Sequence, residues 1–241
     1  MGQKKLERFA AIATYPNVFQ YPENMQGKWH SFFGNAHPIV LELACGKGEY
    51  TVTLGEKYPD QNFMGVDLKG NRIWKGATQA LENNMKNVAF LRTQIEKIAN
   101  YFDPGEVDEI WITFPDPQLR LSRAKKRLTH PRFLRSYKHI LKQDGIIHLK
   151  TDSPDLYAFT KDVIEWCGLD LLMDMPDVHA HTHVPDYLYI KTYYESLDIS
   201  GSNKIFYLRF SIPEGWRDNE EAFTAYLKSK YKNDEEKAGE S

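Results

Sequence analysis

The sequence contains few cysteines, with only two among its 241 residues. Cys45 and Cys167 lie far apart in the chain, so neither a disulfide framework nor a zinc cluster follows from them, and a reducing cytosol is the expected environment. Apolar runs are short as well, since none approaches the ~20 residues of a membrane-spanning helix, and the first residues lack the apolar core of a signal peptide. We therefore expect a soluble cytoplasmic protein with no membrane partner.

The sequence also has little net charge, with 31 Lys and Arg against 33 Asp and Glu. An overall basic charge is missing, so a role with nucleic acid depends on where the charges lie. Internal repeats and low-complexity linkers are missing too, which favours one domain at this length. We predict an extended, partly basic amino-terminal arm over residues 1–36, a main domain over 37–231 and a disordered tail over 232–241. The arm either contacts a polyanion or packs across the core as a solvated tail.

From Pro38 onwards, short apolar runs alternate with segments of helical composition. The runs cover residues 39–43, 63–67, 88–91, 110–114 and 146–149. This alternation predicts an α/β fold with a mostly parallel, doubly wound sheet and a ligand site at the carboxyl ends of the strands. A last alternating run over 204–212 predicts an added antiparallel strand, and residues 220–231 have the composition of a terminal helix.

The stretch from Ile39 to Gly48 ends the first apolar run in a glycine-containing turn. Gly46 and Gly48 let the backbone turn sharply and approach a ligand closely, where a Cβ would obstruct it. A carboxylate at Glu42 repels phosphate and attracts an amine or a sulfonium. Asp67, about 20 residues further on, is placed to accept both ribose hydroxyls of an adenosine cofactor. Together these residues favour S-adenosylmethionine over NAD, the alternative for the glycine loop by itself being an ordinary strand-to-helix turn.

A second turn follows the fourth apolar run, where an aspartate stands between two prolines in Thr113-Phe114-Pro115-Asp116-Pro117. The prolines fix the backbone on both sides of Asp116, so the turn is rigid. Its carboxylate is expected at the same sheet edge as Glu42 and Asp67. A simple Asx-type turn is the alternative for this pattern by itself.

Between positions 118 and 143 there are nine Lys or Arg residues and no Asp or Glu. In a chain whose overall balance is acidic, this asymmetry indicates a contact with a phosphate backbone beside the cofactor edge. Apolar residues at helical spacing within the run leave the alternative of one solvated helix face. The predicted RNA-backbone contacts are Arg123, Lys125, Lys126 and Arg127.

Two further patterns lie between positions 176 and 194. His179, His181 and His183 alternate as metal ligands in a strand would, but flanking prolines favour a loop, and we predict no metal site. The tyrosines that follow either stack on bases or form a half-buried surface, the commoner fate of such residues.

These motifs in combination resemble the bacterial tRNA (guanine-N(7)-)-methyltransferase family, over roughly residues 38 to 212. The segments that carry the resemblance are Leu41-Glu42, Gly46-Lys47-Gly48-Glu49, Phe114-Pro115-Asp116-Pro117, Lys125-Lys126-Arg127-Leu128, Lys150-Thr151-Asp152 and Thr192-Tyr193-Tyr194-Glu195. Glycine-rich loops occur in every class of methyltransferase, whereas the last motif together with Phe-Pro-Asp-Pro belongs to this family.

The resemblance implies a Rossmann-like class I methyltransferase fold that uses S-adenosylmethionine and acts on tRNA. It assigns Glu42, Asp67 and Asp116 to the cofactor, and Asp116 also to catalysis. It assigns the tRNA substrate to Arg120, Asp152, Thr192, Tyr193, Tyr194 and Glu195. The sequence departs from the family at Ala44, where the loop usually has glycine, at Gln94, which stands for an acidic cofactor residue, and at Gln118, which stands for tryptophan.

The expected reaction is methyl transfer to nitrogen 7 of a tRNA guanine in the variable loop. Two alternatives stay open: a methyltransferase of the same fold acting on another RNA base, a protein or a small molecule, and a non-enzymatic RNA-binding relative. The sequence is compatible with a monomer and with a homodimer.

Overall fold

A computed structural model describes residues 2–192, 195, 201 and 203–239. The strands are β1 (Val18–Gln20), β2 (Ile39–Leu43), β3 (Asn62–Asp67), β4 (Val88–Arg92), β5 (Val107–Thr113), β6 (Leu141–Thr151), β7 (Asp170–Met175) and β8 (Phe206–Ser211). The helices are α1 (Gly2–Ile12), α2 (Trp29–Phe33), α3 (Glu49–Lys57), α4 (Gly70–Glu82), α5 (Pro131–Ile140), α6 (Pro154–Trp166) and α7 (Glu220–Gly239).

The strands form one sheet in the order β1-β4-β3-β2-β5-β6-β8-β7. Strands β1 to β6 pair with one another in parallel, whereas β8 is antiparallel to β6 and to β7. Every residue of β2 and β3 is buried, as expected of central strands covered on both faces. The α/β prediction of a mostly parallel, doubly wound sheet with an antiparallel last strand is confirmed.

Apolar side chains pack on both faces of the sheet. One face carries α2, α5, α6 and α7 around residues such as Trp29, Tyr137 and Phe159. The other carries α3, α4 and the segment from Met175 to Ile190. Strand order reverses at β2, which has β3 on one side and β5 on the other, so a crevice is expected at the carboxyl ends of these three strands.

The amino-terminal segment is not the extended arm that the sequence predicts, because it contains α1, β1 and α2. Ile12 is fully buried, and it packs with Phe9 over Gly70, which has no Cβ to prevent the approach. Trp29 is also fully buried and donates its indole N–H to the Tyr101 carbonyl at 2.7 Å. These partners are distant in sequence, which explains why local composition suggested no regular structure.

The carboxyl-terminal helix also departs from expectation, because α7 continues to Gly239 through most of the predicted disordered tail 232–241. Lys, Glu and Ala are good helix formers, and no proline interrupts the segment. The sequence pattern does not predict β7, whose first three residues are exposed. None of the described helices is long and apolar enough to cross a membrane.

Candidate functional site

The carboxyl ends of β2, β3, β5 and β6 surround a cavity of about 670 Å³. This volume lies within the range of roughly 300 to 1,000 Å³ that is usual for small-molecule sites. The fold thereby brings together five of the predicted site residues along the cavity lining: Glu42, Asp67, Asp116, Asp152 and Thr192.

Asp67 ends β3 and is only 7% exposed. One carboxylate oxygen accepts the Gly46 N–H at 3.0 Å and the other accepts the Lys69 N–H at 2.7 Å. Each oxygen has capacity for another donor, so the carboxylate is held in place and still able to accept hydroxyl groups. This observation fits an adenosine cofactor whose ribose lies over Asp67.

Glu42 lies near the carboxyl end of the neighbouring strand β2 and is 4% exposed. Its carboxylate accepts the Thr51 N–H at 2.9 Å, the Thr51 hydroxyl at 2.5 Å and the Thr113 hydroxyl at 2.6 Å. Burial raises the pKa of Glu42 from 4.5 to about 7, although the three hydrogen bonds favour the ionised form. A cation that enters the cavity would favour ionisation further.

The loop between β2 and α3 has three residues in the left-handed region: Ala44 at φ 59°, Gly46 at 57° and Gly48 at 70°. A Cβ at position 48 would lie 2.4 Å from the Phe90 ring. Gly48 is therefore required for packing against Phe90 beneath the loop. The sequence pattern predicts a different reason for this glycine, the close approach of the backbone to a ligand. Ala44 therefore adopts a left-handed conformation that carries a steric penalty for alanine but none for glycine.

Asp116 lies in a turn after β5 and is exposed at the cavity. Its carboxylate accepts the Gln118 N–H at 3.0 Å. Phe114 and Gln118 both have positive φ, at 46° and 47°, so the turn is strained on both sides of the aspartate. A strained turn that exposes a carboxylate in a cavity is typical of a functional position.

Glu195 does not line the cavity. Its carboxylate is paired with a buried lysine. Lys150 is fully buried and donates to Glu195 at 2.9 Å and to the carbonyls of Leu188 and Ile190 at 3.0 and 2.8 Å. Burial lowers the pKa of Lys150, while Glu195 opposes that shift. Thr192 accepts the Glu195 N–H at 3.2 Å. Tyr193 and Tyr194 lie outside the described residues.

The predicted RNA-backbone residues have different environments. Arg123 and Lys126 are exposed, and Lys125 forms an ion pair with Glu220 at 3.2 Å. The prediction is wrong for Arg127, which is fully buried and donates to the carbonyls of residues 117, 118 and 119. Sequence alone gave no sign of this, because an arginine among other basic residues looks exposed.

Two other predicted residues, Gln94 and Arg120, do not line the cavity. Gln94 is exposed after β4, and Arg120 is exposed after the Asp116 turn. Sequence reasoning missed Thr51, Thr113 and Lys150 as residues that hold the site's carboxylates. Their partners lie up to 71 residues away, so no local pattern marks them.

A family model described as a putative methyltransferase matches residues 36–208. A tRNA (guanine-N(7)-)-methyltransferase of Bacteroides thetaiotaomicron is 52% identical over 223 residues, which cover 89% of this chain and 88% of the relative. One of the same name from Christiangramia forsetii is 48% identical over 88% of this chain and its whole length. The chain belongs to the tRNA (guanine-N(7)-)-methyltransferase family.

Solved structures agree on the fold of this family member. The 16S rRNA methyltransferase KamB matches with a TM-score of 0.61 at 14% identity, covering 80% of this chain and 95% of that one. A 16S rRNA (adenine(1408)-N(1))-methyltransferase from Catenulisporales acidiphilia matches with a TM-score of 0.58 at 16% identity, over 78% of this chain and 91% of that one. The predictions of the methyltransferase family and of the class I fold are confirmed, and the structure from Catenulisporales acidiphilia was solved with S-adenosylmethionine as cosubstrate.

Proposed function

We propose that this enzyme transfers a methyl group from S-adenosylmethionine to nitrogen 7 of a guanine in the variable loop of tRNA. The observation that carries the proposal is one cavity with buried carboxylates at one side, Glu42 and Asp67, and the exposed carboxylate of Asp116 at the other. The family relationship supports the choice of base and of RNA. A tRNA substrate places the enzyme in the cytoplasm, which is part of the proposal.

The β2–β3 side of the cavity would hold the cofactor. Asp67 accepts the ribose hydroxyls, and Gly46 fixes Asp67 through its N–H. Glu42 would supply negative charge that attracts the cationic end of the cofactor, and Thr51 and Thr113 hold the Glu42 carboxylate in place. When bound, S-adenosylmethionine supplies an electrophilic methyl group. Gln94 is the proposed neighbour of the adenine amine, although it lies outside the lining.

The opposite side would hold the base. Nitrogen 7 of guanine has an in-plane lone pair and needs no deprotonation before it reacts, so the site requires positioning and electrostatic stabilisation, and no strong base. Asp116 is suited to accept the guanine N1–H and exocyclic amine, whose acidity rises as the ring becomes cationic. Asp152 lines the same cavity as a supporting carboxylate.

The remaining proposed residues position the RNA. Arg120, Arg123 and Lys126 are exposed beside the Asp116 turn and would contact phosphates. Thr192 lines the cavity, and Glu195 is tied to it through the backbone. We propose that Lys150 and Glu195 together hold this segment against the site, since the lysine also donates to two carbonyls of the same segment.

Nucleoside mass spectrometry tests this function directly. Unmodified tRNA incubated with the enzyme and S-adenosylmethionine should gain 7-methylguanosine, and a transcript with adenines in place of the variable-loop guanines should gain none. Methylation of both transcripts would contradict the variable-loop site. Cofactor binding without any methylated nucleoside would favour another substrate, and no cofactor binding would favour a non-enzymatic RNA-binding protein.

A further inference from the structure

The loop after Asp116 presents an apolar side chain at the cavity. Leu119 is 61% exposed and belongs to the cavity lining. Its neighbours in sequence are polar or basic, with Gln118 before it and Arg120 after it. An isolated exposed leucine on a protein surface needs no explanation, so the case for a role depends on how the loop holds this one.

A buried arginine fixes the backbone that carries Leu119. The Arg127 Nε atom donates to the Pro117 carbonyl at 3.1 Å and to that of Gln118 at 3.3 Å. The Nη2 atom donates to the carbonyls of Gln118 and Leu119 at 3.2 and 3.3 Å. The guanidinium also stacks on Phe159, with 4.4 Å between its carbon and the ring centre.

The burial of the Arg127 guanidinium is energetically unfavourable, which indicates that its contacts with the loop have a role. Burying a cation is unfavourable unless it is fully paired, and Arg127 uses neutral carbonyls for most of its donors. Gln118 is held at φ 47° within the same turn, a conformation that L residues rarely adopt. Strain of this kind persists where the surroundings enforce it and clusters at functional sites. Arg127 thus holds the backbone segment that places Leu119 in the cavity lining.

We propose that Leu119 packs on one face of the target guanine while Asp116 accepts hydrogen bonds from the edge of the same base. Arg127 is then the residue that positions Leu119. The inference rests on the proposed function, because it names a contact of the same base. A base that has left its stack exposes two apolar faces, and Leu119 offers an apolar surface within the same lining as the carboxylate. Arg120 and Arg123 are exposed nearby and would contact the phosphates, so Leu119 is left to contact the base.

Variants at position 119 test the contact, with Leu172→Ala as the matched control because Leu172 is 49% exposed on β7. Leu119→Ala should lower the single-turnover methylation rate about tenfold at saturating tRNA, in line with the smaller end of base-stacking losses. Leu119→Met, of similar volume and also apolar, should stay within a few-fold of the parent. Leu119→Gln, of similar length but polar, should resemble Leu119→Ala.

Three results would overturn the proposal. One is a Leu119→Ala rate no lower than that of the Leu172→Ala control, and another is a Leu119→Gln rate equal to the parent. The third is a weakened affinity for S-adenosylhomocysteine in the Leu119 variants, which would make the residue part of the cofactor side. If the parent enzyme itself fails to methylate tRNA, the proposed function has failed, which is a distinguishable outcome.

A double-mutant cycle tests the positioning role of Arg127. Arg127→Lys retains the charge but cannot reach three carbonyls in a fork geometry. In the parent it should lower the single-turnover rate several-fold, whereas in Leu119→Ala it should lower the rate little further. Additive losses would show that Arg127 supports folding alone. If Arg127→Lys does not fold, the position 119 series still decides the main proposal.

Discussion

The two sides of the cavity hold their carboxylates in opposite ways. At the β2–β3 side, Glu42 and Asp67 are almost completely buried and together accept five hydrogen bonds from the protein. At the other side, Asp116 is exposed, and the one described hydrogen bond to its carboxylate comes from Gln118 in its own turn. The first side is organised before any ligand binds, which suits the proposed cofactor site, whereas the second leaves a carboxylate with acceptor capacity for the proposed base.

The largest effect is expected at the exposed side. Asp116→Asn retains size and some hydrogen bonding but removes the charge that stabilises a cationic guanine, so single-turnover methyl transfer should fall on the order of 10²-fold or more. Affinity for S-adenosylmethionine should change little, because Glu42 and Asp67 remain. Asp60→Asn, also exposed but remote from the cavity, is the control. A variant rate within a few-fold of the parent would leave Asp116 with a role only in the turn.

The next largest effect is expected at the buried side of the cavity. Asp67→Ala removes the acceptors for the ribose hydroxyls and releases the N–H groups of Gly46 and Lys69. Charge-assisted hydrogen bonds of this kind contribute about 1.5 to 3 kcal/mol. Calorimetric titration with S-adenosylhomocysteine should therefore show a dissociation constant raised at least tenfold. An unchanged constant would mean that the cofactor lies elsewhere.

A smaller effect concerns pH and Glu42. Because its pKa is about 7 in the free protein, the carboxylate is mostly neutral at pH 6 and mostly ionised at pH 8. A cationic ligand that prefers the ionised form should bind about tenfold more tightly at the higher pH. Titrations with S-adenosylmethionine, whose sulfonium group is cationic, at both pH values and without tRNA measure this, and Glu42→Gln should lose the pH dependence. Equal pH dependence in the two proteins would assign it to another group.

The same titration affects the free energy of unfolding. A carboxyl whose pKa rises from 4.5 to about 7 on folding stabilises the folded state below pH 4.5, and that contribution is lost as pH rises through 7. The loss is about 3 kcal/mol. Urea unfolding at pH 5 and pH 8, without ligand, should therefore show a larger decrease for the parent than for Glu42→Gln. Identical decreases would contradict the raised pKa.

The smallest effect is expected at the basic surface beside the exposed side. Replacing Arg123 and Lys126 with alanine should reduce the log–log salt dependence of tRNA binding by roughly 0.7 to 0.9 per lost phosphate contact. Lys125→Ala should have less effect, since Glu220 already neutralises that lysine. Lys28→Ala combined with Lys86→Ala, both exposed and close to the amino ends of the strands, is the control. A slope that matches the control would indicate a solvated helix face.

The difference between the two sides also explains what sequence could predict. Central strands such as β2 and β3 are buried on both faces, so their apolar runs are visible without any knowledge of partners. Strand β7 has exposed leucines at consecutive positions, 171 and 172, and its pattern fits neither face. Carboxylates at strand ends were predictable because topology alone brings those ends together.

Residues whose environment depends on distant partners could not be predicted. Arg127 and Lys150 are buried cations that bond to backbone carbonyls, and carbonyls have no signature in the sequence. Thr113 shares a hydrogen bond with Glu42 across two neighbouring strands, which only the sheet order establishes. The site residues predicted from the sequence therefore include the acidic residues of the cavity but not the residues that orient them.

The short strand β1 has a consequence for how the protein behaves in concentrated solution. It pairs with β4 through Val18, Phe19 and Gln20, opposite Phe90, Leu91 and Arg92. Without it, a strand with the apolar run 88–91 would form the open edge of the sheet, which is a template for pairing with another chain. A shortened protein that begins at residue 38 would therefore be prone to aggregation, even with every residue lining the cavity still present.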